Sequence, residues 1–230
     1  MRDGVAFLAQ GRRLDRLEYR FPFGLFPCLG DRNSQAGEAS GHYFHQDFYV
    51  ARRIFAAKPR RHIDVGSRID GFVAHVATFR EIDVLDIRTV HDTIPNMRFL
   101  RADLMATLPA ELVGCADSAS CLHALEHFGL GRYGDPIDYQ GHIKGLLNLH
   151  RMLEPGGRLY LSVPIGPQRV EFNAHRVFAV PYLLELFIGL FSVARVCAVD
   201  DQGRFHEDLA EKGRGFLSHY GCGIFELIKS

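Results

Sequence analysis

From residue 61 onward, short apolar strand patterns alternate with amphipathic helix patterns, and this alternation constrains the fold more than any other feature of the sequence. A helix predicted at 43–57 precedes it. The pattern predicts strands at 61–65, 82–86, 97–101, 117–122, 158–165, 193–199 and 222–228, and further helices at 70–80, 139–153 and 179–190. Such alternation indicates an α/β fold, in which a mostly parallel sheet carries helices on both faces.

The composition is that of an ordinary globular protein. The 230 residues are 47% hydrophobic, and 27 basic and 27 acidic side chains give a formal net charge of zero. Because nothing indicates a polyanionic partner recognised through bulk charge, we predict no nucleic-acid partner. The five cysteines are scattered and form no C-x-x-C pair. This pattern indicates neither a disulfide framework nor a zinc ribbon, and it fits a reducing compartment.

Residues 1–41 differ from the rest of the chain. They contain Pro22, Pro27 and six glycines, and their apolar positions show little periodicity. Proline and glycine interrupt regular structure. We therefore predict an irregular N-terminal arm at 1–41, followed by a single domain at 42–230.

The longest apolar region, 177–199, has the length of a membrane-spanning helix. Pro181, Glu185 and Arg195 interrupt it, and charged side chains are costly inside a bilayer. We interpret the region as a helix followed by a buried strand. The prediction is a cytoplasmic protein without a membrane span.

The loop after the first predicted strand reads HIDVGSRIDGF at 62–72, and its place makes it the candidate ligand-binding loop. In sheets of this kind, ligands bind beyond the carboxyl ends of the strands, where the strand order reverses. A nucleotide-triphosphate loop requires G-x-x-x-x-G-K-[ST], but Phe-Val follows Gly71. A dinucleotide loop requires a middle glycine that is missing here. Asp64 and Asp70 would also repel a pyrophosphate.

The same acids suit a cofactor that carries positive charge. S-adenosylmethionine has an ammonium, a sulfonium and a carboxylate, and no phosphate. We expect Asp64 to bind the ammonium and Gly66 to permit close approach of the backbone. Asp86, at the end of the second strand, is placed to accept the ribose hydroxyls. Asp70 has a structural alternative as the N-cap of the following helix, and we favour that interpretation.

Five segments resemble class I S-adenosylmethionine-dependent methyltransferases in order and spacing: DVGSRIDGF, the acid of VLDI, RADLM, DSASCLHALEHF and RMLEPGGRLYLSVP. The resemblance covers residues 43–199. It implies a Rossmann-like sandwich with a seven-stranded, mostly parallel sheet whose last strand runs antiparallel. The LEH and LEPGG segments are similar to the branch that methylates small molecules and glycans. HFGLGRYGDPID (127–138) and FNAHRVF resemble a smaller, uncharacterised subfamily associated with polysaccharide gene clusters.

The resemblance also implies a set of cofactor-binding residues. Asp103 corresponds to the side chain that accepts from the adenine amino group, Leu104 would pack on the purine, and Leu122 with His123 would border the methionine end. The full set is Asp64, Gly66, Ser67, Gly71, Asp86, Asp103, Leu104, Leu122 and His123.

One departure from the family pattern concerns the cofactor loop. Arg68 and Asp70 occupy positions where the family commonly has its second and third glycines. Either the loop is rebuilt around Arg68, or cofactor binding is weakened or lost.

Methyl transfer is a direct displacement at carbon, so alignment of the reacting atoms is the largest contribution expected from the protein. A base is required only for an acceptor that is protonated at neutral pH, such as a hydroxyl, and histidine is the natural candidate. His127 follows the fourth strand, with Asp135 in the same polar loop, and is the leading candidate; His175 is the second. Each also has a structural interpretation as a hydrogen-bonding group. Tyr133 and Arg132 are candidates for shaping an acceptor pocket.

Two other interpretations remain open. HALEH at 123–127 matches H-x-x-E-H, the zinc-binding helix of inverted zincins. That motif requires helix on both sides, whereas a strand-like segment precedes it here and Gly129 and Gly131 follow, so we predict no metal ligands. The second alternative is a non-catalytic binding module of the same fold whose altered loop no longer holds cofactor.

The main hypothesis is a methyltransferase that acts on a sugar or another small hydroxylated acceptor and releases S-adenosylhomocysteine. The expected partner is therefore a small molecule or a glycan.

Overall fold

The computed structural model describes residues 2–13, 24, 26–28, 30–90, 93–209 and 213–230, which fall into two compact units, 1–38 and 39–230. In the first unit, residues Arg2–Arg13 form helix α1, where the sequence predicted an irregular arm. The two differ because the prediction depended on Pro22 and Pro27, and both prolines come after the helix has ended.

The second unit contains the predicted alternation of strands and helices. In chain order its elements are α2 (Gly41–Ala57), β1 (His62–Val65), a π-helical turn (Ile69–Val73), α3 (Ala74–Ala77), β2 (Ile82–Asp86), β3 (Met97–Arg101), β4 (Ala116–Leu122), a 3-10 turn (Leu125–His127), α4 (Gly141–Met152), β5 (Leu153–Ile165), β6 (Arg169–Glu171), β7 (His175–Val177), α5 (Val180–Phe187), β8 (Phe191–Val199), β9 (Phe205–His206) and β10 (Gly221–Lys229). Each predicted strand and helix of this unit is present within a few residues. The Glu154-Pro155-Gly156-Gly157 segment comes after the end of α4 and already belongs to β5.

The main sheet has the strand order β3-β2-β1-β4-β5-β10-β8-β9. β1 is parallel to its neighbours β2 and β4, and the pairs β2–β3 and β4–β5 are also parallel. β10 is antiparallel to both of its neighbours, β5 and β8. This confirms the predicted mostly parallel sheet with its last strand antiparallel. The two-residue strand β9 adds an eighth strand at the edge, which is too short to leave a periodic pattern in the sequence.

The strand order reverses at β1, because β2 and β3 lie on one side of it and β4 and β5 on the other. A crevice opens at the carboxyl ends of the strands at such a point. The loops after β1, β2 and β4 therefore surround the place where a ligand is expected.

Two hydrophobic cores cover the two faces of the sheet. On one face Ile63 and Val65 of β1 pack with α4 and α5, and on the other face α2 and α3 contribute Ile54 and Val76. The alternation of side chains along a strand explains this division, because successive residues of β1 point to opposite faces.

The alternate residues of β1 form a buried polar ladder with β4. Ser118 and Ser120 contact the two ring nitrogens of His62 at 2.8 and 3.1 Å, and Ser120 donates to Asp64 at 2.6 Å. Burial lowers the pKa of His62 to about 3, so its ring is neutral at pH 7. The ladder therefore holds polar side chains under the cofactor loop without a buried positive charge.

The apolar region 177–199 contains α5 followed by β8, as predicted. Within the part of the chain that the structure describes, no helix combines the length and the apolar character needed to cross a membrane.

Candidate functional site

A cavity of about 330 Å³ lies at the carboxyl ends of the strands around β1. Its volume is at the lower end of the range of small-molecule sites, roughly 300 to 1,000 Å³. The cavity brings together seven of the predicted site residues: Gly66, Asp86, Asp103, Leu104, His123, His127 and Asp135. The other five, which are Asp64, Ser67, Gly71, Leu122 and His175, are not among its lining residues.

Asp64 lies beneath the cofactor loop rather than in the cavity. Its fully buried carboxylate accepts hydrogen bonds from the backbone N–H of Ser67 at 3.1 Å and from the hydroxyls of Ser67 and Ser120, both at 2.6 Å. Burial raises its pKa to about 6. The Ser67 hydroxyl also accepts from the N–H of Leu122, at the end of β4. Asp64 therefore holds the loop in place. It does not lie in the cavity, where the sequence predicted that it would contact an ammonium directly.

Gly66 forms the cavity floor directly after β1. Its φ is +72°, and a Cβ at this position would lie 2.9 Å from the Cβ of Ala124. Both the backbone conformation and the close approach therefore require glycine. Gly71 faces away from the cavity, toward α2, where a Cβ would lie 2.6 Å from Asp47 Oδ2.

Arg68 and Asp70, at the altered glycine positions, pair with each other at the surface. The two side chains are 63% and 71% exposed, and their closest contact is 2.6 Å. The predicted N-cap role of Asp70 is wrong, because the π-helical turn begins after Arg68 and the Asp70 carboxylate accepts from the Arg68 guanidinium instead. Neither side chain fills the floor at Gly66, although Arg68 reaches the cavity rim.

Asp86 ends β2 and lines the cavity, as predicted, but its carboxylate is already paired. Arg88 contacts one oxygen at 2.7 Å through its backbone N–H and the other at 2.7 Å through its guanidinium, which also lies 4.6 Å from the Tyr133 ring centroid. The Arg88 side chain is 50% exposed. The Asp86 side chain is only 12% exposed, so the pair is partly buried, and a ligand hydroxyl pair would have to replace the guanidinium as the partner of the carboxylate.

Asp103 and Leu104 follow β3 and reach the cavity from a tight turn. Asp103 Oδ1 accepts from the N–H of Met105 at 2.8 Å. The side-chain amide of Asn148, on α4, donates to the carbonyls of Leu104 and Ala106 at 2.7 and 2.8 Å. This contact from a distant helix fixes the turn, and the sequence did not indicate it.

His123 follows β4 and pairs with Glu126. Its backbone has φ +49°, and its Nδ1 lies 2.8 Å from Glu126 Oε1, with both side chains buried. Although burial by itself lowers the pKa of His123, the neighbouring Cys222 and Glu126 raise it well above its usual value. Leu122, directly before it, packs in the core beside α2 and not in the cavity.

His127 lines the cavity with its tautomer fixed. Nδ1 lies 2.6 Å from the carbonyl oxygen of Ala174, which can only accept, so Nδ1 carries the proton. Burial lowers the pKa of the ring, and Nε2 is therefore an unprotonated acceptor at neutral pH. His127 is the last residue of a 3-10 turn that begins at Leu125, and His123 precedes that turn, so the arrangement differs from the long inverted zincin helix.

Asp135 organises the loop that carries His127. Its carboxylate accepts from the backbone N–H groups of Gly129, Gly131 and Tyr133, at 2.9, 3.1 and 3.1 Å. These three contacts occupy both oxygens, so the geometry favours a loop-holding role over the predicted catalytic one.

Arg176 holds the same loop from β7. Its buried guanidinium donates to the carbonyls of Phe128 at 2.6 Å, Tyr139 at 3.2 Å and Glu126 at 3.3 Å. Sequence patterns did not indicate a role for this residue, because an arginine in a loop is ordinarily exposed.

His175, the second predicted base, lies outside the cavity. Its Nε2 is 3.2 Å from Glu171 Oε2, and its ring is tilted against that of Tyr220, with the centroids 5.3 Å apart. The β6–β7 hairpin places it behind His127, with the two ring centroids 6.5 Å apart. Sequence order alone did not show this hairpin.

The fold is similar to that of solved methyltransferase structures. The Burkholderia thailandensis 1,6-didemethyltoxoflavin-N1-methyltransferase, with bound 1,6-didemethyltoxoflavin and S-adenosylhomocysteine, is 16% identical, with a TM-score of 0.55 over 80% of this chain and 78% of that chain. The N-methyltransferase NodS from Bradyrhizobium japonicum WM9, in complex with S-adenosylhomocysteine, is 12% identical, with a TM-score of 0.53 over 82% and 88%. The [4+2]-cyclase SpnF is 15% identical, with a TM-score of 0.56 over 80% of each chain.

These similarities establish the class I methyltransferase fold and, at such low identity, the fold alone. No curated protein matches the sequence. The family described as "Caenorhabditis protein of unknown function, DUF268" matches residues 74–209, which is more than half of the chain, and the chain therefore belongs to this family.

Proposed function

We propose that this protein transfers a methyl group from S-adenosylmethionine to a hydroxyl group of a sugar or another small molecule. The observation that carries the proposal is the cavity itself, in which Gly66, Asp86, Asp103 and His127 converge at the reversal of the strand order. Ligands of open α/β sheets bind at this place.

The residues present fit the proposed cofactor. Because Gly66 has no Cβ, the floor of the cavity stays open at a position that a side chain would fill. Asp86 and Asp103 are acceptors, as a ribose hydroxyl pair and an adenine amino group require, and buried Leu104 offers an apolar surface to a purine. An acid at the end of β2 suits the ribose hydroxyls of any nucleoside. Because the three arginines of the lining, Arg68, Arg88 and Arg132, balance its three aspartates, the preference for S-adenosylmethionine rests on the lack of a phosphate-binding glycine pattern in the loop.

When bound, S-adenosylmethionine supplies a methyl group activated by its sulfonium. The side chains of the protein then have two tasks, to align the acceptor oxygen with that methyl group and to remove the hydroxyl proton. His127 suits the second task, because its Nδ1–H is held by Ala174 and its Nε2 is free of a proton. His127 Nε2 would accept the proton that the acceptor hydroxyl loses as its oxygen takes the methyl group, and the cofactor would leave as S-adenosylhomocysteine.

Polar and aromatic side chains at the cavity mouth support a small hydroxylated acceptor. Tyr43, Arg132 and Tyr133 line the cavity and can contact the hydroxyl groups and the ring faces of a small acceptor. A glycan of a polysaccharide pathway in the cytoplasm is the acceptor class that the motif resemblance favours.

One observation supports the alternative, a binding module without catalysis. The Asp86 carboxylate is paired with Arg88, and Arg68 and Asp70 replace two glycines of the usual loop. The cyclase SpnF, which shares the fold, illustrates that this architecture carries more than one function.

Calorimetry decides between the two. We expect the full chain to bind S-adenosylmethionine and S-adenosylhomocysteine, and Asp86→Ala to weaken binding by at least tenfold, about 1.4 kcal/mol. Glu111→Ala, which changes an exposed acid outside the cavity, serves as the matched control. Absence of heat at millimolar ligand with the wild-type chain would favour the binding module.

A further inference from the structure

Next to the cavity, the structure brings three metal-compatible side chains together from distant parts of the chain. His42 lies in the first turn of α2, His123 follows β4, and Cys222 lies near the start of β10. The two histidine nitrogens and the cysteine sulfur all lie within 4.8 Å of one another. The His42 and His123 rings are nearly parallel, with centroids 5.2 Å apart.

His123 is oriented as a metal-binding histidine ordinarily is. Its Nδ1 is held by the buried carboxylate of Glu126 at 2.8 Å, while its Nε2, also buried, has no hydrogen-bond partner among the described residues. Histidines that bind metal almost always donate their other ring N–H to a carboxylate or carbonyl, which fixes the tautomer. A buried nitrogen without a hydrogen-bond partner costs free energy of folding. The Nε2 atom of His123 lies next to two further atoms that can bind a metal ion, a His42 nitrogen and the Cys222 sulfur.

The backbone holds these residues in place. The N–H of His123 donates to the Ser162 carbonyl and hydroxyl, at 3.0 and 3.1 Å, and its φ of +49° turns the chain sharply after β4. Cys222 is fully buried in a strand paired on both sides, opposite Pro164 and Val199. The cluster is therefore built into the sheet and not into a free loop.

We propose that His42, His123 and Cys222 form a zinc-binding site on the wall of the cavity. Zinc binds nitrogen at about 2.0 to 2.1 Å and thiolate sulfur at about 2.3 Å, so its tetrahedral ligands lie roughly 3.3 to 3.6 Å apart. To reach that separation, the donor atoms must move closer than their present spacing of up to 4.8 Å, and the His42 ring must rotate, because nearly parallel rings do not direct their in-plane lone pairs at one point. A set of two nitrogens and one sulfur matches the preference of zinc for such ligands.

The fourth coordination position belongs to an oxygen from the cavity side. His123 is a member of both the cluster and the cavity lining, together with Tyr43, whose ring centroid is 5.3 Å from that of His123. Three protein ligands and one open position are the arrangement of reactive zinc sites, whereas structural sites have four protein ligands. A water molecule or an acceptor hydroxyl fits there.

This site differs from the one that the HALEH motif suggested. His127 has its Nδ1 committed to Ala174 and is not in the cluster, and Glu126 contacts His123 as its partner. The sequence predicted no metal ligands, because His42, His123 and Cys222 are brought together only by the strand order.

Metal binding tests the proposal without any assay of methyl transfer. The full chain, stripped with a chelator, is titrated with Co²⁺ and then with Zn²⁺. We expect one Co²⁺ per chain, a thiolate-to-cobalt charge-transfer band, and displacement by Zn²⁺. Glu126→Gln should weaken metal affinity by about tenfold to a hundredfold. Cys222→Ser should abolish the band, and His42→Ala should weaken the affinity.

Two variants outside the cluster serve as matched controls. His45→Ala removes another histidine of α2, and Cys28→Ser removes an exposed thiol, so both should bind cobalt as the wild type does. Failure of the wild-type chain to take up stoichiometric metal would overturn the proposal, whatever the stability of the variants. Persistence of the band in Cys222→Ser would overturn it as well. Neither result bears on the binding of S-adenosylmethionine, which is measured separately.

Discussion

The two walls of the cavity are held by different kinds of contact. In the cofactor wall, which consists of Gly66, Asp86 and Asp103, each residue ends its strand or follows it within two positions, so the sheet itself places it. The loop wall, residues 123–139, has little regular structure, and the buried Arg176 and the carboxylate of Asp135 hold it through backbone contacts. The first wall is therefore fixed by local sequence, and the second by side chains that substitute for secondary structure.

The largest expected effect concerns His127, on the loop wall. His127→Asn retains a donor for the Ala174 carbonyl but removes the basic nitrogen. General-base catalysis contributes about a hundredfold to ten-thousandfold, so methyl transfer to hydroxyl acceptors should fall by at least about a hundredfold. S-adenosylhomocysteine formed with a panel of sugars measures the rate. Cofactor affinity should change little, and an undiminished rate would remove His127 from its proposed role.

A substitution at Gly66 should break the cofactor wall selectively. Gly66→Val places a branched side chain at positive φ and against Ala124, so we expect cofactor affinity to fall by more than about a hundredfold, or about 2.7 kcal/mol. Calorimetry measures the loss. Gly156→Ala is the control, because Gly156 also has positive φ, +75°, but has open space around its Cβ position. Equal losses in both variants would mean that backbone strain, and not the floor of the cavity, is responsible.

Arg176 tests whether the loop wall depends on distant side chains. Arg176→Met removes the donors to Phe128 and Tyr139 while keeping much of the side-chain volume. Carbonyls left without partners cost about 1 to 3 kcal/mol, so the free energy of unfolding should fall by about that amount. Denaturant unfolding measures the change, and hydrogen exchange should increase in residues 126–139. If hydrogen exchange in residues 126–139 did not change in Arg176→Met, the loop wall would not depend on Arg176.

The smallest effect is a pH dependence from Asp64. Its folded pKa of about 6 is above its usual value, so the folded state binds more protons than the unfolded state, and stability falls as pH rises through this range. Asp64→Asn removes the ionisation. The variant should therefore gain about 2 kcal/mol relative to the wild type between pH 4 and pH 7, measured by denaturant unfolding at each pH. If the difference in free energy of unfolding between Asp64→Asn and the wild type did not change with pH, ionisation of Asp64 would not destabilise the folded state.

The sequence predicted the fold, and it placed Gly66, Asp86 and Asp103 at the carboxyl ends of their strands, because both depend on local patterns. Gly66 and Asp86 reach the cavity because each directly follows or ends a strand whose pattern was visible. The inward turn of Asp64 was not predictable, since its partner Ser120 belongs to β4. The loop-holding role of Asp135, and the position of His175 behind His127, depend equally on contacts between distant segments.

The pairing of Asp86 with Arg88 has a consequence for how a nucleoside enters. A ribose that binds Asp86 as proposed must take the place of the Arg88 guanidinium, which lies 4.6 Å from the Tyr133 ring centroid. Added salt screens the pair that must open. Affinity for an uncharged nucleoside such as adenosine is therefore expected to rise with ionic strength, the reverse of what a simple charged pocket shows.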